Sequence, residues 1–126
     1  MTPTLAFASG SILLAAVLYT LAVFGERKAG TLNRKHLILF WLGLVFDTTG
    51  TTLMSEIAGG WKWDLHGMVG VLAIVLMLVH AAWATIAYAL KQESVLRNFH
   101  KFSIHVWALW MVALISGFVM AASRMV

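Results

Sequence analysis

Five histidines and one mid-span aspartate are the side chains through which this chain could do chemistry. The stretch LHGMVGVLAIVLMLVHAAWA, Leu65 to Ala84, is almost wholly apolar, yet it carries His66 and His80 fourteen residues apart. On a helix that spacing is about 21 Å of rise and leaves both rings within about 40° of one face. The stretch HLILFWLGLVFDTTGTTLMSE sets Asp47 among hydrocarbon, followed by Thr48, Thr49, Gly50, Thr51 and Thr52. A buried charge of this kind costs roughly 2.5–3.5 kcal/mol on insertion scales unless a partner satisfies it. His36, His100 and His105 complete the set.

The elements that must position these groups follow from composition. Of 126 residues, 61% are hydrophobic and 11% charged, with a mean hydropathy of +0.88. Soluble domains have about 25% charged residues, so this surface belongs in lipid. Roughly 20 apolar residues make one crossing, and four crossings nearly exhaust the chain. They read as Thr4 to Phe24, His36 to Ile57, Leu65 to Leu90 and Phe99 to Ala122, joined by GERKAGTLNRK, AGGWKWD and KQESVLRN. Gly59 and Gly60 are placed to stop the second helix and Asp64 to cap the third. The expected fold is all-α: a single four-helix transmembrane bundle over residues 1–126, up-down-up-down.

Arg27, Lys28, Arg34, Lys35, Lys91, Arg97 and Lys101 lie on one side; only Lys62 and Arg124 lie on the other. The positive-inside rule makes the first side cytoplasmic and puts both termini outside, as in a multi-pass protein of a prokaryotic inner membrane. Trp61 and Trp63 mark the outer interface. The charges of the first span follow its apolar run, so it reads as a retained helix rather than a signal peptide. The absence of cysteine excludes disulfides, thiolate metal sites and c-type haem attachment. The +4 net charge sits in turns between spans, which argues against nucleic acid as a partner. No nucleotide motif and no internal repeat stands out.

In the second span His36, Phe40, Gly43, Asp47, Gly50 and Met54 form one stripe, which must face protein. Its glycines permit close approach of a helix or a flat ligand. The threonines are expected to bond carbonyls one turn back. Counting inward from the basic turns gives three layers: His36, His100 and His105 innermost, then His80 with Asp47 and His105 in reach, then His66 with Glu56 and Asp64. Imidazoles on facing membrane helices suit the axial positions of a b-type haem. Ala73, Ala81, Ala84 and Ala87 would leave room for a porphyrin, and Arg34, Lys35, Arg97 and Lys101 would neutralise its propionates. His80 is the first axial candidate and His105 its partner by depth. The pair on one helix also resembles the diheme pattern of membrane cytochromes b. No matching pair stands on a facing helix, so one haem is expected; a second on His66 would need Met54, Met120 or another subunit.

The segments FWLGLVFDTTGTTLMS, LHGMVGVLAIVLMLVH and NFHKFSIHVW resemble the HsmA family of small prokaryotic four-helix membrane proteins, over about His36 to Gly117. That resemblance implies the four-helix membrane fold and sets His36, Asp47, His66, His80 and His100 on motif positions, making His36 or His100 the alternative partner of His80. The expected function is a haem b electron carrier, cytochrome b-like, drawing on a quinol or a redox partner subunit, with Asp47 taking a proton or tuning the site. A homo-oligomer is compatible with it. The alternatives are a haem-free proton or ion relay through Asp47, His80 and His36, and a structural membrane subunit.

The charge bias predicts that reporter fusions at Arg27 and Ser94 read cytoplasmic. A periplasmic readout at either position would invert the topology.

Overall fold

A computed structural model describes the backbone of residues 3–60 and 65–125, and side chains as far as residue 120. Its elements are four helices: α1 (Pro3–Ala29), α2 (Arg34–Ile57), α3 (Leu65–Ala89) and α4 (Glu93–Met125). All four are long and apolar enough to cross a membrane. Large apolar side chains such as Phe7, Val45, Leu65, Ile86 and Val119 point outward on every helix, as they must where hydrocarbon is the solvent. Trp61, Lys62, Trp63 and Asp64 lie outside the described residues, and with them the expected cap of α3 and the expected aromatic belt.

The first helix runs five residues past the expected end at Phe24. Gly25 does not stop it, because the missing Cβ is used for packing: a Cβ there would stand 3.1 Å from Nε2 of His36 on α2. The helix ends instead where Gly30 enters the left-handed region at φ +78° and its N–H returns to the Glu26 carbonyl at 3.0 Å. Gly59 and Gly60, at φ +84° and +128°, end α2 where the sequence placed the stop. At the head of α2 the His36 N–H bonds the Asn33 carbonyl at 3.0 Å, while the imidazole Nδ1 accepts the Asn33 N–H at 3.0 Å. Imidazole thus fills the part that Glu or Gln plays in a capping box.

The expected stripe of α2 is the one it buries, from His36 through Phe40, Gly43 and Asp47 to Gly50; Met54 is half-buried. Gly43 lies under the Tyr19 ring and Gly50 against the Ala8 carbonyl, so α1 and α2 approach closely along their length. The pairing is antiparallel, since positions rising along α2 meet positions falling along α1. Two like clamps join the α1–α2 hairpin to the α3–α4 hairpin. Trp41 on α2 donates its indole N–H to Thr85 on α3 at 2.8 Å, and Trp107 on α4 donates to Thr20 on α1 at 3.0 Å. Each threonine donates in turn to the carbonyl one turn back, Ala81 or Ala16. The two clamps are alike in kind, each a Trp–Thr bond from one hairpin to the other.

Close packing sets a contrast between two glycines. A Cβ on Gly50 would lie 2.9 Å from the backbone oxygen of Ala8, which cannot step aside, whereas nothing lies within 4 Å of one on Gly10. Gly50→Ala should destabilise the protein by about 1–3 kcal/mol. Gly10→Ala should be neutral or stabilising by up to about 1 kcal/mol. Thermal unfolding in detergent checks both, and equal melting of the two variants would refute the close α1–α2 register.

Candidate functional site

Two clusters of polar side chains stand in the bundle interior. Nearer the α1–α2 and α3–α4 turns, Glu26, His80 and Ser103 come together from α1, α3 and α4, each essentially without exposure at 0%, 0% and 1%. The Ser103 hydroxyl donates to the Glu26 carboxylate, at 3.1 Å from Oε2 and 3.3 Å from Oε1. His80 Nε2 stands 2.6 Å from the Ser103 hydroxyl oxygen. A hydroxyl has one proton and two lone pairs, so while Ser103 donates to Glu26 it accepts from His80 Nε2–H. The other ring nitrogen, Nδ1, is then a bare acceptor; it has no partner among the described residues. Phe40 at 4.3 Å, Phe99 at 4.9 Å and Phe102 at 5.7 Å between ring centroids close around the imidazole.

Farther from those turns, Asp47 is bonded to two neighbouring helices. Its Oδ2 accepts from Trp110 Nε1 at 2.8 Å and from the Tyr19 hydroxyl at 3.1 Å. Thr51, one turn along α2, reaches Oδ1 at 3.4 Å, so this threonine serves the carboxylate rather than a backbone carbonyl. Tyr19 and Trp110 meet edge to face at 5.0 Å. These contacts satisfy both oxygens without a proton on either, and the indole can only donate. The expected middle layer of His80 with Asp47 is therefore two layers. Trp110 and Ser103, their respective partners on α4, lie seven residues apart, about 10 Å along the axis.

His105 does not meet His80. It is exposed, and its Nδ1 bonds the Lys101 carbonyl one turn back. The reason is angular: the buried stripe of α4 runs through Phe99, Ser103, Val106 and Trp110, and His105 lies about 200° around from Ser103. His100 is half-buried in a groove on another face. His66 is half-buried, with Nδ1 2.9 Å from the Ser116 hydroxyl, which also bonds the Ala113 carbonyl. Glu56, its expected acidic neighbour, is exposed, and Asp64 lies outside the described residues. The two histidines of α3 thus have one kind of partner: serines thirteen residues apart on the antiparallel α4. Arg34, Lys35, Arg97 and Lys101 are exposed.

For the expected axial ligands the geometry differs from residue to residue. His36 is buried, but its Nδ1 already accepts the Asn33 N–H, so the proton of the neutral ring is on Nε2 and no lone pair remains for iron. Around His80 the rings of Phe40, Phe99 and Phe102 pack directly against the imidazole, and Ala73, Ala81, Ala84 and Ala87 are buried in the core.

Glu26, Ser103 and Tyr19 were the members that residue spacing did not expose. A signal existed for two of them: Ala8, Ser11, Ala15, Tyr19, Ala22 and Glu26 recur at helical intervals and are the buried face of α1. Of these two, only Glu26 lies beyond the expected end of the helix at Phe24.

Ser103→Ala should strand the Glu26 carboxyl and the His80 ring together, each at about 1–3 kcal/mol. Ser116→Ala affects only the half-buried His66 and should cost less. Denaturation in detergent measures both; equal losses would mean that the Glu26–Ser103–His80 contacts carry no weight.

No protein-family model, curated protein or solved structure matches this chain, so the site is read from its own geometry.

Proposed function

We propose that this protein handles protons inside the membrane, with Glu26, Ser103 and His80 as a three-residue relay. The observation that carries the reading is the buried chain of hydrogen bonds from carboxylate to hydroxyl to imidazole, ending on the unpartnered Nδ1. Its middle member can donate and accept, which a proton-passing link requires. A proton arriving at His80 Nδ1 makes the ring an imidazolium. The Nε2 proton passes to Ser103 as the hydroxyl's own proton passes to Glu26. The ring is then neutral with its proton on Nδ1, and Glu26 is a neutral acid. One proton has entered at one end and one is held at the other, one turn from the end of α1. Intramembrane carboxyl and imidazole chains serve pumps and transporters in this way.

Asp47 has a different part in this reading. Held by a donor-only indole and a phenol, it is a fixed acceptor in the other half of the bundle. An Asn there can accept both bonds at its oxygen and donate to Thr51. The basic turns would face the cytoplasm of a prokaryotic cell, with both termini outside. The haem b reading keeps one supporting observation, the free Nδ1 lone pair of fully buried His80.

Protein in liposomes with an internal pH dye and an imposed potential should move protons. Glu26→Gln keeps its bond to Ser103 but cannot carry the proton, so flux should fall by about 10²-fold, while Asp47→Asn should stay near wild type. Wild-type flux equal to that of empty liposomes, or unchanged in Glu26→Gln, would rule the relay out. A Soret band in protein made with ample haem, lost in His80→Ala, would replace it with the haem reading.

A further inference from the structure

Between α1 and α4, at the end with the basic turns, lies a groove lined by Val23, Arg27, His100, Lys101, Ile104 and His105. Four of its six side chains are basic, and no carboxylate among the described residues pairs with Arg27 or Lys101. The nearest acid in sequence, Glu26, is turned into the core and bonded to Ser103. The fold thus separates neighbours on one helix turn: the carboxylate faces inward and the guanidinium faces the groove. His105 is fixed at its flank, since Nδ1 is bonded to the Lys101 carbonyl and only Nε2 is left to face a ligand.

The floor is apolar. Val23 is buried and Ile104 half-buried. One step deeper, on the same two helices, Phe24 and Trp107 meet edge to face at 5.1 Å, with Phe24 partly exposed. A basic mouth over an apolar wall matches a molecule with an anionic head and a hydrocarbon body. The other lysines and arginines near this end, Lys28, Arg34, Lys35, Lys91 and Arg97, are exposed and do not line this groove. Positive-inside charge explains their presence on this side, but not a cationic cleft with two imidazoles.

We propose that this groove binds a phosphate-bearing anion, with Arg27 and Lys101 supplying charge, the guanidinium giving its paired donors, and His100 a further hydrogen bond. The apolar wall suits the headgroup phosphate of an anionic phospholipid. This inference is independent of the proton relay, since none of the groove side chains belongs to it.

The test is native mass spectrometry of the detergent-purified protein titrated with phosphatidylglycerol or phosphatidylcholine. Wild type should retain phosphatidylglycerol about thirtyfold better, because Arg27 and Lys101 each contribute about 1 kcal/mol at an anionic lipid. The double variant Arg27→Gln with Lys101→Gln should lose that preference. Arg34→Gln with Lys35→Gln, which removes the same charge outside the groove, should keep it. Displacement of the bound lipid by millimolar inorganic phosphate would support the anion site and identify free phosphate as a ligand; failure to displace it would support the lipid as the ligand. Equal retention of the two lipids, or equal loss in both double variants, would overturn the proposal.

Discussion

A polar side chain inside a membrane-spanning bundle has no bulk water to fall back on, so its partner must come from another helix. That constraint organises this protein. Ser103 meets it for two groups at once, bonding Glu26 of α1 and His80 of α3 from its place on α4. Removing that one hydroxyl oxygen would break the polar link among three helices. Asp47 meets the same constraint from α2, drawing donors from α1 and α4. Between them the two clusters tie all four helices together at two depths, and the Trp–Thr clamps do so at the periphery.

The clusters differ in what their hydrogen bonds permit. Every contact to Asp47 is satisfied by donation, and the shortest comes from an indole that can do nothing else. Such a site holds a carboxylate still. Glu26 faces a hydroxyl that is itself bonded to an imidazole, and both can exchange donor and acceptor roles. In the proposed relay the proton-carrying carboxyl group is therefore the one a turn from the helix end, and the one deep in the apolar run is a fixed acceptor. Aromatic rings around His80 exclude competing partners, which confines any transfer to the Ser103 side and to Nδ1.

Glycine gives the hairpin of α1 and α2 its closeness. Where Gly43 and Gly50 face Tyr19 and Ala8, the helices come near enough for the Tyr19 hydroxyl to reach Asp47. Gly25 does the same for His36, whose ring is then both helix cap and packing surface. Packing, capping and the Tyr19 bond to Asp47 are thus consequences of one register between the two helices.

Local pattern was enough to determine four apolar helices, their basic and neutral ends, the glycine stops after α2, and the buried stripe from His36 to Gly50. Each is a property of one segment: hydropathy, charge position or a period of 3.6. It also determined that His66 and His80 share a face. What it did not determine is who stands opposite. The register of α4 against α3 sets Ser116 and Ser103 before those rings, and the same register turns His105 outward. The pairing of Glu26 with Ser103 spans 77 positions and depends on α1 continuing past Gly25, where the His36 ring packs against the bare Cα. Spacing along one helix fixes direction; distance between side chains on different helices depends on how closely and at what offset their backbones pack, and that is decided by the tertiary structure alone.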